Sequence, residues 1–205
     1  MVAGTASTIS GERAPSTPPP RGATTPERIY QLKATIVGTK PPVWRRLLVA
    51  DTTSLFELHE VLQAAFGWWD SHLHEFEING VRYGTDDGEG FGRPPNSERR
   101  TRLGAVTDEG TTFEYVYDFG DNWQHRILVE KIVAAAPGAT YPVCIAGRRA
   151  GPPEDCGGVW GYAEFLAAVS DPAHPEHDSM LEWAGGAFDP ERFATRDFDE
   201  RLDRS

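Results

Sequence analysis

Along the first two-thirds of the chain, apolar and polar positions mostly alternate with a period of two. Tyr30, Leu32, Ala34 and Ile36 alternate with Gln31, Lys33 and Thr35, the pattern of a half-buried strand. Pro41-Pro42 marks a turn, and residues 43–49 read as a second strand. Val43, Arg45, Leu47 and Val49 lie on one of its faces, with Trp44, Arg46 and Leu48 on the other. The period then changes. Leu55, Leu58, Leu62 and Phe66 recur at helical spacing, with Val61 and Ala65 beside them. Ser54 and Glu57 have capping-box spacing, and Gly67 supplies the stop. This predicts an amphipathic helix lying on the sheet, with His59 on its surface or flank.

Alternation resumes after Trp68-Trp69-Asp70. His72, His74, Phe76 and Ile78 share one face, and Leu73, Glu75 and Glu77 the other. Asn79-Gly80 is a strong hairpin signal. Residues 84–100, rich in Gly, Asp, Pro and Arg, predict a long mobile loop, and residues 103–106 a short helical turn. The central hairpin follows. Phe113, Tyr115 and Tyr117 lead in, Gly120-Asp121-Asn122 turns, and Trp123, His125, Ile127 and Val129 lead out. Residues 134–158 hold both cysteines in a Gly/Pro-rich, irregular segment. Beyond it, Trp160, Tyr162, Phe165, Leu166 and Val169 predict a helix. A second short helix carries Met180, Leu181 and Trp183, and Asp189-Pro190 starts a last turn around Phe193.

These elements predict an α+β fold: a mainly antiparallel sheet, one early helix packed on it, and short helices in the C-terminal third. The organisation expected is a disordered Thr/Ser/Pro-rich tail over residues 1–27, a single domain over 28–195, and a solvated tail over 196–205. No internal repeat is visible.

Composition narrows the function. Twenty Lys+Arg against 31 Asp+Glu give a net charge of −11, which disfavours generic nucleic-acid binding and leans toward a protein partner. Six Trp, 10 Phe and 6 Tyr supply a core despite a modest 39% hydrophobic content. No apolar run spans a membrane and no secretory leader is visible. Two Cys make no disulfide framework. The expectation is a soluble cytoplasmic protein.

Candidate chemistry gathers at the hairpin tip. Asp118-Phe119-Gly120 matches the kinase magnesium motif by letters only, since no nucleotide loop or catalytic-loop signature accompanies it. His72, His74, Asp118, Asp121 and His125 are the right donor types for a Zn, Mn or Fe site or for acid–base work. The alternative is a polar cluster that satisfies hairpin backbone groups. Cys144 and Cys156 lack the Cys-x-x-Cys spacing of a zinc knuckle, but with His174 and His177 they form a conceivable clamp for Zn. Arg45-Arg46 reads as one solvated charge and one salt bridge. No nucleophile elbow is present.

Several stretches together resemble the plasmid pRiA4b ORF-3-like family, whose members are also described as insertion-sequence passengers. They are Tyr30-Gln31-Leu32-Lys33, Pro42-Val43-Trp44-Arg45-Arg46, and Leu58-His59 through Phe66-Gly67-Trp68. His72-Leu73-His74-Glu75-Phe76 follows, then Tyr117-Asp118-Phe119-Gly120-Asp121 with Trp123 and His125. Pro152-Pro153-Glu154-Asp155-Cys156-Gly157-Gly158, Gly161-Tyr162 through Phe165-Leu166, His174-Pro175-Glu176-His177 and Phe188-Asp189-Pro190-Glu191 complete the set. The resemblance covers residues 29–193. It implies one compact α+β domain and an association with mobile DNA, without implying an activity. The family often carries a further Cys just before the Pro-Pro-Glu-Asp-Cys run. Here that position is Gly151, which removes one thiolate from any three-thiolate site.

The function expected is a non-enzymatic binding or accessory module. Its hairpin tip (Asp118, Asp121, Trp123 and His125, with His72 and His74) would recognise a protein or mobile-element nucleic acid. The alternatives are a metal-dependent hydrolase or nuclease with Asp118, Asp121 and His125 as catalytic candidates, and a zinc-clamped structural domain.

Overall fold

The computed structural model describes residues 28–85 and 94–203; the tail expected over 1–27 lies outside the described residues. Among these residues eight strands form one sheet. In chain order, β1 (Arg28–Ile36) and β2 (Trp44–Ala50) precede helix α1 (Leu55–Phe66); β3 (His74–Ile78), β4 (Val81–Gly84) and β5 (Asn96–Ser97) precede α2 (Leu103–Val106). Next come β6 (Thr112–Tyr117), β7 (Trp123–Ala134) and β8 (Val143–Arg148), then α3 (Gly158–Ser170), α4 (His177–Trp183) and α5 (Thr195–Leu202). The spatial order is β5-β4-β3-β6-β7-β1-β2-β8. Every pairing is antiparallel except β4 with β5. The fold is therefore α+β with a mainly antiparallel sheet, as the alternation predicts.

Register explains where the core sits. Ile36 pairs with His125, His125 with Tyr115, Tyr115 with Phe76, and Phe76 with Tyr83. Paired residues on neighbouring strands point to the same face, so these five form one inward row. The next row is Trp123, Tyr117 and His74. The inward residues of β1 and β2 continue this face, and the buried residues of α1, with Tyr162 and Phe165 of α3 and Phe198 of α5, close over it.

Helix α1 begins and ends as its sequence requires. Ser54 Oγ accepts from the Glu57 N–H at 3.2 Å, and Glu57 Oε2 accepts from the Ser54 N–H at 2.6 Å, a reciprocal pair that satisfies two orphan donors. At the other end Gly67 adopts φ 90° and its N–H reaches the Gln63 carbonyl. Arg45 reaches across from β2: its Nε donates to the Ala65 carbonyl at 2.7 Å. Its guanidinium lies 5.1 Å from the Phe66 ring centre and 4.8 Å from that of Phe193. Arg46 points to the opposite face and pairs with Glu130 at 2.6 Å. Arg46 matches the salt bridge expected, but Arg45 is not solvated. It falls in the apolar register of β2, and aromatic rings and backbone carbonyls replace its water.

Three other local expectations are corrected. Residues 143–148 form strand β8 rather than irregular loop, because β2 offers them a partner edge. The loop expected over 84–100 contains β5 and a buried Glu98, while its residues 86–93 lie outside the described residues. The tail expected over 196–205 is largely helix α5, anchored by buried Phe198.

Candidate functional site

The β6–β7 turn carries the predicted site. Asp118 and Asn122 take left-handed conformations, φ 56° and 54°, which their short polar side chains tolerate by bonding locally. Asp118 Oδ1 accepts from the N–H groups of Gly120 at 2.8 Å and Asp121 at 3.3 Å, an Asx turn. Its Oδ2 lies 3.7 Å from His72 Nε2, and His72 donates to Asp155 Oδ1 at 3.0 Å. Asp121 Oδ2 accepts from the Gly157 N–H at 3.0 Å. Glu154 Oε1 accepts from the Tyr117 hydroxyl at 3.0 Å and the Trp69 N–H at 2.8 Å. The Pro-Pro-Glu-Asp-Cys-Gly-Gly loop is thereby clamped onto the hairpin. The fit is close: a Cβ on Gly158 (φ 65°) would stand 2.4 Å from the Asp121 carbonyl oxygen.

Two carboxylates, those of Asp118 and Asp155, thus flank His72, while those of Asp121 and Glu154 tie the same hairpin and loop together. Their field reaches Cys156, whose thiol burial pushes up to about 12, with Asp121, Asp155 and Glu154 reinforcing the shift. The thiol is protonated at neutral pH and is no ready nucleophile. Along the chain the cluster is bordered by exposed apolar residues: Trp69 (79%), Leu73 (48%), Phe119 (55%) and Trp160 (86%).

A second histidine cluster lies deeper. His59, far from being a surface residue, is fully buried. Its Nδ1 meets the Tyr115 hydroxyl at 2.8 Å and its Nε2 meets Asp70 Oδ1 at 2.9 Å. The Asp70 carboxylate is an acceptor, so Nε2 carries the proton and Nδ1 accepts from Tyr115. Gln63 Nε2 in turn donates to the Tyr115 hydroxyl at 3.1 Å. Burial, followed by the neighbouring His74, holds His59 down to about 4. His74 stacks on His59 with centroids 3.5 Å apart and planes within 4°, and donates to Glu98 Oε2 at 2.8 Å. Burial opposes ionisation of Glu98, but bonds from His74 and Thr85 outweigh it and lower its pKa.

This deeper group is structural. Donor atoms of His59, Asp70 and His74 lie within 4.8 Å of one another, but an imidazole lone pair lies in its ring plane. With the two rings stacked in parallel planes, no point lets one ion meet an in-plane lone pair of both at the usual ~2.1 Å. Nor is the Asp70–His59–Tyr115 chain a catalytic relay, because the Tyr115 hydroxyl is sealed in the core and burial raises its pKa well above the usual value.

The five-residue set His72, His74, Asp118, Asp121 and His125 is therefore divided. His72 precedes β3 and joins Asp118 and Asp155, whereas His74 turns to Glu98. His125 is buried among Phe66, Trp68 and Tyr115, with ring centres at 4.8, 5.3 and 5.2 Å. Its Nδ1 donates to the Trp123 carbonyl at 2.9 Å. Trp123 is likewise fully buried, so its indole contacts no partner molecule. No three of Cys144, Cys156, His174 and His177 bring donor atoms within 4.8 Å of one another. Cys144 bonds the Ala146 carbonyl, His177 the Ala168 carbonyl, and His174 accepts from the Glu176 N–H. A Cβ at Gly151 would lie 1.9 Å from the Phe66 carbonyl oxygen, so a third cysteine there has no room in this chain. Glu154 and Asp155 were missed as site residues; an acidic pair inside a turn-rich loop was the available signal.

The comparisons with known proteins agree with this architecture. Residues 28–197 match the family described as plasmid pRiA4b ORF-3-like protein. The uncharacterised protein y4hQ of Sinorhizobium fredii (strain NBRC 101917 / NGR234) is 44% identical over 160 residues, covering 78% of this chain and 82% of that protein. The crystal structure of MM3350, a protein of unknown function from Methanosarcina mazei Go1, superposes with a TM-score of 0.77 at 40% identity. That match covers 84% of this chain and 98% of the other.

Proposed function

Starting from the fact that the chain belongs to the plasmid pRiA4b ORF-3-like family, we propose that it is a non-enzymatic binding module that recognises a basic segment of a protein partner. One observation carries this reading: four carboxylates gather where the hairpin and the loop are clamped, Asp118 and Asp155 on His72, Asp121 on the Gly157 N–H and Glu154 on the Tyr117 hydroxyl, with exposed Trp69, Leu73, Phe119 and Trp160 next to them along the chain. Carboxylates pair with Arg and Lys through charge-assisted hydrogen bonds. Exposed aromatic faces add cation–π stacking. The same carboxylates repel a phosphate backbone, so the nucleic acid of a mobile element is the less favoured ligand. Given the family's association with mobile DNA, the partner proposed is a protein encoded in the same mobile context.

Fluorescence anisotropy with a labelled Arg/Lys-rich peptide tests this. The peptide binds with an affinity that falls with salt, and Asp118→Asn/Asp155→Asn weakens it about tenfold or more. Binding of duplex DNA in place of the peptide, or peptide binding indifferent to the double substitution, overturns the reading.

A second reading has its own observation: the donor atoms of His72, Asp118 and Asp155 lie within 4.8 Å of one another. One imidazole and two carboxylates suit Zn or Mn, and a hydrolase would use the bound ion to activate water. Elemental analysis separates the two, since stoichiometric metal lost on His72→Ala favours this alternative.

A further inference from the structure

Helices α3 and α4 enclose a cavity of about 240 Å³ that opens beside the recognition loop. Its wall chemistry is of one sign. Asp155, Glu164 and Glu176 contribute carboxylates, and among the described residues no Lys, Arg or His lines it. Glu164 and Glu176 make no ion pair among the described residues. The remaining walls are soft and polarisable. The rings of Phe165 and Trp183 meet edge to face with centroids 5.7 Å apart, Met180 adds a thioether, and Gly161 and Ala168 keep the space open. Trp183 remains 49% exposed. Asp155 belongs both to this cavity and to the His72 cluster, so the two are adjoining parts of one surface.

We propose that this cavity is the specificity pocket for a single ammonium-bearing side chain, lysine or its N-methylated form. The inference rests on the recognition function above and names the side chain that function selects. Carboxylates carried by the loop (Asp155), by α3 (Glu164) and by the start of α4 (Glu176) suit a compact cation whose donors point in several directions, rather than a planar guanidinium that needs one bidentate partner. The Trp183 face supplies the cation–π contact that alkylated ammonium groups favour. An apolar stem lies against Phe165 and Met180 while its charge meets the carboxylates.

The pocket is tested in the whole protein with small probes: N-acetyl-lysine amide, its trimethyl-lysine counterpart, N-acetyl-arginine amide and, as the neutral control, N-acetyl-norleucine amide. Tryptophan fluorescence and titration calorimetry are read on the natural protein, on Glu164→Gln/Glu176→Gln and on Trp183→Ala. All three positions are exposed, so these variants leave the core intact. The lysine probes should saturate, the norleucine probe should not, and each variant should weaken lysine binding about tenfold. Equal binding of lysine and norleucine probes, arginine bound in preference to lysine, or variants that bind as the natural protein does would overturn the pocket. The basic peptide keeps the two readings apart. If its binding is lost in Asp118→Asn/Asp155→Asn but unchanged in Glu164→Gln/Glu176→Gln, the recognition function stands and the pocket falls. If no basic peptide binds at all, the recognition function falls and takes the pocket with it, even where a lysine probe saturates.

Discussion

At His125 the imidazole is enclosed by Phe66, Trp68 and Tyr115, its Nδ1–H is committed to the Trp123 carbonyl, and its Nε2 has no hydrogen-bond partner among the described residues. Burial holds this group down to about 4, and burial followed by His74 holds His59 to the same level. An unfolded histidine titrates near 6.5. Between that value and about 4 the unfolded chain takes up protons that the folded one refuses, so stability is present above pH 6.5 and lost as pH falls through this window. Each histidine contributes at most about 1.4 kcal/mol per pH unit. Urea denaturation from pH 7 to 4.5 should show this decline, and His125→Phe should flatten it; an unchanged slope would mean that His125 is not neutral in the fold. His59 shows why such positions escape a reading of the sequence. It stands four residues after Leu55, in phase with the apolar stripe, but its polarity suggested a flank. Its partner Tyr115 lies 56 residues further along, where no local pattern points to it.

The elements that were legible are those with strong periodicity and their own punctuation. The capping box of α1, its Gly stop, and the alternation of β1, β2, β6 and β7 are all present in the fold. Those missed depend on a neighbour. Strand β8 exists because β2 offers it an edge. Helix α5 has Phe198 and Leu202 at i and i+4 among charged residues, too thin a stripe to announce a buried helix. The end of α1 shows a neighbour's contribution. Arg45 Nε serves the Ala65 carbonyl, and its Nη1 serves the carbonyls of Trp44 at 2.9 Å and Arg148 at 3.1 Å. Burial lowers its pKa to about 10, with Arg201 among the opposing charges, so it remains a cation at neutral pH. Arg45→Ala leaves these acceptors and two aromatic faces without the guanidinium, and should cost about 3 kcal/mol in chemical denaturation. A loss below about 1 kcal/mol would mean that water replaces it. Arg45→Lys should recover only part, because an ammonium cannot lie flat between Phe66 and Phe193.

Over the whole molecule, the proposed recognition surface belongs to no single stretch. His72 and Asp155 are 83 residues apart, and Asp121 and Gly157 are 36 apart. The hairpin tip and its acids were visible in the sequence. Which histidine they would meet was not, because that choice follows from how α3 and its preceding loop dock on the sheet. The division of His72 from His74 could not be read from a shared strand face, since β3 begins only at His74.

Those long separations carry a thermodynamic consequence. The clamp between hairpin and loop exists only when the entire sheet is assembled, so a ligand held there binds the native chain and not the unfolded one. Occupancy then adds to the free energy of unfolding, by about 2.7 kcal/mol at a hundredfold excess over the dissociation constant. The Arg/Lys-rich peptide should therefore raise the midpoint of thermal unfolding in step with its concentration, and a midpoint that stays fixed at saturating peptide would contradict a site built from three distant segments. Thermal melting of the unlabelled protein thus becomes a screen for the partner, with the cooperativity of the fold as the reporter.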